Sequence, residues 1–213
     1  MPIMTVGERF PEFDLVALKG GNLRDANASS PDDYFENVSL DKYEGKWKVV
    51  FFYPKDFTFV CPTEIAAFAK LGKDFADRDT VVLGGSTDNE FTKLAWRRDH
   101  ADLNKLPIWQ FADNGGKLAR ALGVLDEEEG VALRATFVVD PHNVIQHVYV
   151  TNLNVGRSPE DTLRVVDALQ TDELCACNWK KGDPTIDAGT GTGRLRATFP
   201  NPDGVIAPGV FIR

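Results

Sequence analysis

The chain has 213 residues, of which 43% are hydrophobic and 26% are charged. This length and composition are typical of one globular domain with a sizeable core. The net charge of −8 argues against nucleic acid or an anionic membrane surface as a partner, because both would repel an acidic protein. No apolar run reaches the roughly 20 residues of a membrane helix, and residues 1–10 lack the basic start and apolar core of a signal peptide. We therefore expect a cytoplasmic protein.

The first half of the chain predicts one buried strand followed by a helix. Residues 9–18 carry a weak strand signal, and the polar residues 22–46 predict a loop with a short strand around Val38 and Leu40. The β-branched and aromatic residues 48–53 predict a strand that is buried on both faces.

A helix is expected directly after this strand. Pro54 ends the strand, and apolar residues recur at helical spacing from Ile65 to Phe75. The helix should open near Cys61, because Pro62 is tolerated in a first turn.

The remaining predicted elements alternate between strands and helices. In chain order they are a strand at 81–87, a helix at 88–103 capped by Asp88 or Asn89, a short strand at 108–111, a short helix at 116–122, a hairpin of strands at 135–140 and 144–150, and a helix at 158–171. In the helix at 88–103, the apolar residues include Phe91, Leu94 and Ala95. The order predicts an α/β fold, with a mixed central sheet flanked by helices.

The predicted position of Cys61 favours a reactive thiol. At a helix N-terminus, unpaired backbone N–H groups and the helix dipole favour an anion and can lower the pKa of a thiol. From position alone, a small buried hydrophobic residue is an equally good interpretation. Thr58 three residues before the sulfur and Glu64 three residues after it favour the reactive thiol, because they are polar residues in an otherwise apolar segment.

This segment resembles the active-site loop of the peroxiredoxins, in which Pro, Thr and Cys are spaced as in Pro54, Thr58 and Cys61. The run FTFVCPTE at 57–64 reproduces that of the typical two-cysteine subgroup, which includes the alkyl hydroperoxide reductase C proteins. The resemblance covers nearly all of residues 1–188. It implies a thioredoxin-like fold with an extended C-terminal arm, made of a peroxiredoxin domain at 1–171 and a resolving-cysteine segment at 172–187. Beyond the resemblance, the run AGTGTG and the Pro- and Gly-rich end predict a flexible tail at 188–213.

The resemblance also implies roles for residues around Cys61, the peroxidatic cysteine. Thr58, the Cys61 backbone N–H and Arg134 would stabilise charge on the leaving oxygen of a hydroperoxide. Arg157, in a VGRS motif, would pair with Glu64 and support the site. Without the family match, a solvated edge charge is the better interpretation of Arg134, and an ordinary surface ion pair is the alternative for Arg157 and Glu64.

Two further cysteines follow near the C-terminus, in the run ELCACNWK at 173–180. Its resemblance to the family's resolving segment aligns Cys175 by the four-residue distance to Trp179. Cys177 is a departure from the family, because Ala176-Cys177 replaces Pro-Ala. This extra cysteine leaves open which thiol forms the disulfide with Cys61. Cys-x-Cys can also be half of a zinc site, but a tetrahedral site needs four ligands and the three histidines show no matching spacing. We therefore expect no metal.

The implied function is that of a thiol-specific peroxidase without a cofactor. It would reduce hydrogen peroxide and alkyl hydroperoxides to water and alcohols through a Cys61 sulfenic acid and an intersubunit disulfide with Cys175 of the partner subunit. A thioredoxin-like or other dithiol protein would then reset it. The implied assembly is a homodimer that forms a ring such as a pentamer of dimers, and the implied role is antioxidant defence and redox homeostasis.

Two other functions compete with this one. A thioredoxin-type disulfide oxidoreductase of the same fold needs a Cys-x-x-Cys motif, and Cys61 is followed by Pro62, Thr63 and Glu64. A ring assembly that acts as a redox sensor or holdase, without turnover, is left open by the sequence.

Overall fold

A seven-stranded sheet in the order β2-β1-β5-β4-β3-β8-β9 forms the centre of the computed structural model, which describes residues 2–23 and 30–194. The strands are β1 (Asp14–Leu18), β2 (Phe35–Ser39), β3 (Trp47–Phe52), β4 (Thr80–Ser86), β5 (Trp109–Ala112), β6 (Leu125–Asp126), β7 (Val131–Ala132), β8 (Arg134–Val139), β9 (Ile145–Thr151), β10 (Thr185–Ile186) and β11 (Gly193–Arg194). The helices are α1 (Cys61–Lys70), α2 (Gly72–Ala76), α3 (Glu90–Asp99), α4 (Lys117–Ala121) and α5 (Pro159–Leu169), with 3-10 turns at Pro31–Asp33 and Asp41–Tyr43. The two pairs β6-β7 and β10-β11 form separate two-stranded sheets.

The sheet is mixed, as the order of elements predicted. β3 pairs in parallel with β4 and β4 in parallel with β5, whereas β8 is antiparallel to both β3 and β9. The β8-β9 hairpin turns at Asn143, whose φ of 63° lies in the left-handed region that asparagine tolerates.

The central strand β3 is buried because its two faces carry different parts of the core. Phe51 stacks on Phe68 of α1 with ring centroids 4.2 Å apart. Phe52 points to the other face, where it packs edge-on against Phe111 and belongs to a core cluster that includes Leu118 of α4. Helices therefore lie on both faces of the sheet, as predicted.

Helix α3 differs from its prediction in length and in its buried face. It spans Glu90–Asp99, and Asn89 caps it by accepting a hydrogen bond from the Thr92 backbone N–H. The buried residues of α3 are Lys93, Trp96 and Arg97. Phe91 is 58% exposed, so the hydrophobic pattern of this helix is a poor guide to its inner face.

The chain divides into two compact units, one ending at Val166 and the other beginning at Asp167. In the second unit, Trp179 is buried and donates its Nε1–H to the carbonyl of Asp183 at 3.0 Å. The domain boundaries at 171/172 and 187/188 stay predictions, and residues 195–213 of the predicted tail lie outside the described residues. Within residues 2–23 and 30–194, no helix combines the length and apolarity needed to span a membrane.

Candidate active site

Cys61 lies where the loop after β3 becomes helix α1. It is the first residue of α1 and is 1% exposed. Among the described residues, no side chain caps this helix at Val60, and the acidic residue of its first turn is Glu64. Cys61 therefore lies at the N-terminus of a helix, as the sequence predicted.

Arg134 reaches the sulfur from the first residue of β8, the strand next to β3. Its Nη1 lies 3.4 Å from Cys61 Sγ, and its Nε donates to the Leu153 carbonyl at 2.7 Å. The arginine is buried, so it is not the solvated edge charge that the sequence also allowed. A permanent cation therefore lies beside the sulfur, in a position to stabilise negative charge there.

Glu64 joins Arg134 to a second arginine. Its Oε2 accepts from Arg134 Nη1 at 2.5 Å, and its Oε1 accepts from Arg157 Nε at 2.8 Å. Arg157 also donates Nη1–H to the Ala135 carbonyl at 2.7 Å. All three charged side chains are nearly inaccessible to solvent, which excludes an ordinary surface ion pair. Burying these charges is costly, and the geometry of the hydrogen bonds is what offsets that cost.

The hydroxyl of Thr58 is oriented by its own loop. Thr58 Oγ1 donates to the carbonyl of Lys55 at 3.0 Å, so its proton points at the backbone rather than at the sulfur. The oxygen is thereby held as a hydrogen-bond acceptor, which corrects the expectation that Thr58 donates to the charge on the leaving oxygen. Pro54 is buried at the end of β3, where it starts the loop that carries Thr58 and Cys61.

Sequence reasoning missed a buried ion pair behind this loop. Lys93 Nζ lies 3.3 Å from Asp56 Oδ2, and the two side chains are 0% and 1% exposed. Burial lowers the pKa of Lys93 and raises the pKa of Asp56, because each charge loses hydration, and their mutual attraction opposes both shifts. The only signal in the sequence was the i, i+3 spacing of Lys93 and Trp96, which places both on one helix face.

Cys175 and Cys177 belong to the second unit. Cys175 is half-buried, with Sγ 3.5 Å from Thr171 Oγ1 and 3.8 Å from the Ala168 carbonyl oxygen, whereas Cys177 is exposed. Both are free thiols, as is Cys61 in the first unit. Within the part of the chain that the structure describes, no three His, Cys, Asp or Glu side chains gather as metal ligands would.

Comparisons with known proteins point to one family over most of the chain. Residues 6–148 match the model of the AhpC/TSA family. An alkyl hydroperoxide reductase C from Mycolicibacterium smegmatis is 59% identical over 189 residues, which are 89% of this chain and 96% of that protein. The structure of Mycobacterium tuberculosis AhpC is similar with a TM-score of 0.78 and 53% identity, covering 84% of this chain and all of the other. The reduced 2-Cys peroxiredoxin of Plasmodium vivax gives a TM-score of 0.76 at 33% identity, covering 85% and 92%.

The mixed sheet, the buried cysteine at a helix N-terminus and these likenesses define a thiol-dependent peroxidase of the peroxiredoxin class with a thioredoxin-like fold. The chain belongs to the AhpC/TSA family. This confirms the fold class, the family and the class of activity that the sequence predicted. A second model, the RND MFPs, beta-barrel domain, matches residues 152–213, which is less than half of the chain. The described part of that range holds α5 and two-residue strands, so its structure does not support this second assignment.

Proposed function

We propose that the protein reduces hydrogen peroxide and alkyl hydroperoxides with Cys61 as the peroxidatic thiol. The observation that carries the proposal is the contact of 3.4 Å between Arg134 Nη1 and Cys61 Sγ at the buried N-terminus of α1. The thiolate attacks one peroxide oxygen, an S–O bond forms and the O–O bond breaks. The leaving oxygen takes up a proton and departs as water or alcohol, and the sulfur is left as sulfenic acid.

The neighbouring residues would divide the work of stabilising this step. The Thr58 oxygen, whose own proton is engaged by the Lys55 carbonyl, would accept the O–H of the hydroperoxide. Arg134 would donate to the charge that develops on the oxygens. Glu64 and Arg157 would hold Arg134 in place through the buried ion pairs, and Pro54 would fix the start of the loop.

The second half of the cycle would use the C-terminal cysteines. The Cys61 sulfenic acid would condense with Cys175 of the partner subunit to give an intersubunit disulfide and water. Cys177 is exposed, which supports a role in exchanging with this disulfide and presenting it to the reductant. A thioredoxin-like or other dithiol protein would restore the thiols. The assembly would be a homodimer, arranged in a ring such as a pentamer of dimers, and the reducing cytoplasm would suit the cycle.

The test is peroxide consumption with a generic dithiol, for the wild type and for Cys61→Ser, Cys175→Ser and Cys177→Ser, with non-reducing gels alongside. We expect Cys61→Ser to lose all turnover, and we expect both Cys61→Ser and Cys175→Ser to lose the disulfide-linked dimer, because each supplies one of its two sulfurs. Cys177→Ser is the matched control, which should keep the dimer. Peroxide consumption by Cys61→Ser would refute the mechanism and point to an assembly role instead.

A further inference from the structure

We propose that Lys93 is a positioning residue for peroxide reduction: through Asp56 it holds the strained loop that orients the Thr58 hydroxyl in front of Cys61. The inference rests on the roles proposed above for Cys61 and Thr58. It assigns a function to a buried ion pair that the proposed chemistry does not use.

Both the side chain and the backbone of Asp56 form hydrogen bonds that fix its position. Its carboxylate receives Lys93 Nζ at 3.3 to 3.4 Å and the Ser86 hydroxyl at 3.2 Å. Its backbone N–H donates to Asp88 Oδ2 at 2.7 Å. Lys93 in turn bonds Ser86 Oγ at 2.6 Å, so the lysine, the serine and the carboxylate form a closed triangle. This triangle fixes the chain at a point five residues before the sulfur.

The anchor is rigid because the lysine is tied to the sheet as well as to its own helix. Lys93 Nζ lies 3.4 Å from the Tyr53 hydroxyl, which accepts a hydrogen bond from Gln110 Nε2 at 2.9 Å. Gln110 Oε1 accepts from Arg97 Nη1 at 3.2 Å, and Arg97 donates Nε–H to the Leu103 carbonyl at 2.9 Å. The loop is therefore attached to β4, β5 and α3 through one continuous buried network.

Immediately after the anchor the backbone is strained. Phe57 has a φ of 54°, in the left-handed region that a bulky residue rarely adopts. Its ring lies against the buried Trp96 of α3, with ring centroids 5.9 Å apart, although Phe57 as a whole is more than half exposed. Such a conformation persists only where the surrounding structure over-determines it. On one side of Phe57 that structure is the fixed Asp56, and on the other side is the bond from Thr58 Oγ1 to the Lys55 carbonyl.

Loss of the anchor would let the loop relax and move the Thr58 oxygen. A displacement of about 1 Å in a reacting geometry can slow a reaction by about 100-fold. A reagent that needs only the thiolate does not use Thr58, so its rate of reaction with Cys61 would not change with this displacement. Any effect of the Lys93 charge on the thiolate itself would act on both kinds of reagent alike, so the ratio of the two rates isolates the positioning effect.

The experiment compares the rate of Cys61 with hydrogen peroxide and its rate with iodoacetamide, in the full-length protein. For Lys93→Met we expect the ratio of peroxide rate to iodoacetamide rate to fall by about 10- to 100-fold. Lys46→Met is the matched control. Lys46 directly precedes the first residue of β3, at the end of the strand opposite the Cys61 loop, and its substitution breaks an exposed ion pair with Asp79. Its ratio should stay within about twofold of the wild type, because exposed pairs contribute little. An unchanged ratio in Lys93→Met would overturn the inference.

Two further variants separate positioning from folding. The double variant Asp56→Asn/Lys93→Met removes both buried charges, so its thermal midpoint should recover relative to Lys93→Met while its rate ratio stays low. Recovery of the ratio together with the midpoint would show that the pair is only structural. Ser86→Ala removes the bridging hydroxyl without changing charge, and we expect a smaller fall in the ratio. If Lys93→Met does not fold, Ser86→Ala decides, and an unchanged ratio in that variant overturns the inference.

The same measurements distinguish this inference from the proposed function. If wild-type Cys61 reduces peroxide and Cys61→Ser does not, the proposed function holds whatever Lys93→Met does. If the ratio is then unaffected by Lys93→Met and Ser86→Ala, only the positioning role fails.

Discussion

Glu64 is the residue that forms ion pairs with both arginines near Cys61. One carboxylate pairs with both Arg134 and Arg157, and all three side chains are withdrawn from water. Removing the charge of one partner in such a group leaves the others buried and uncompensated, which is strongly unfavourable. The stability of the fold and the position of the cation beside the sulfur are therefore coupled at this residue.

We predict that Glu64→Gln lowers the free energy of unfolding by about 3 kcal/mol and slows peroxide reduction, because Arg134 loses its main partner. Urea unfolding and stopped-flow peroxide kinetics would measure the two effects. Glu127→Gln is the matched control, since Glu127 pairs with Arg120 at the surface, where its side chain is 63% exposed. That variant should unfold like the wild type, and equal losses in both variants would contradict the prediction.

At the scale of elements, two glycines of β4 allow the rings of neighbouring strands to pack closely. A Cβ on Gly84 would lie 2.4 Å from Phe51 Cζ, and one on Gly85 would lie 2.2 Å from Phe111 Cε2. Phe51 is the residue of β3 that stacks on α1, the helix that begins with Cys61. The small residues of β4 therefore help to set how β3 packs behind the active-site helix.

We predict that Gly85→Ala lowers the free energy of unfolding by about 1–3 kcal/mol, because the added methyl group requires the buried Phe111 ring to move. The comparison is Gly72→Ala in the first turn of α2, where no atom of the described residues lies within 4 Å of the added Cβ. That variant should be neutral or more stable by up to about 1 kcal/mol, because alanine favours helix. Chemical denaturation of both variants would test this. An unchanged free energy of unfolding in Gly85→Ala would show that the Phe111 ring can move aside without cost.

At the scale of the whole molecule, we expect the stability to depend on pH through His147 on β9. Burial lowers the pKa of His147, Asp161 opposes this shift and Arg164 adds to it. The unfolded chain therefore binds a proton at this position at a higher pH than the folded chain does. The stability associated with neutral His147 is complete above the unfolded pKa of about 6.5 and is lost as the pH falls below it.

We predict that the thermal midpoint of the wild type falls between about pH 7 and pH 5 and that His147→Gln makes this fall shallower. Differential scanning calorimetry across that range would measure both curves. Parallel curves for the two proteins would mean that His147 does not contribute to the pH dependence.

The strand-loop-helix around Cys61 was predictable because its signals are local. Periodicity, Pro54 at the end of the strand and Pro62 in the first helical turn act over a few residues, and α1 begins at the residue expected. The family resemblance pointed to Arg134, but the residues alone favoured a solvated charge. What places Arg134 beside the sulfur is the pairing of β8 with β3, because it brings together two residues, Arg134 and Cys61, that are 73 positions apart in the chain.

The buried ion pair of Asp56 and Lys93 was decided by tertiary structure alone. A hydrophobic pattern predicts which residues leave water, and on that basis Lys93 belongs at the surface and Phe91 inside. The structure reverses the two, because Ser86, Tyr53 and Asp56 supply the polar partners that a buried ammonium group requires. Sequence thus determined the fold class and the position of Cys61 at the start of α1, whereas strand order and long-range polar partners determined the charges that surround it.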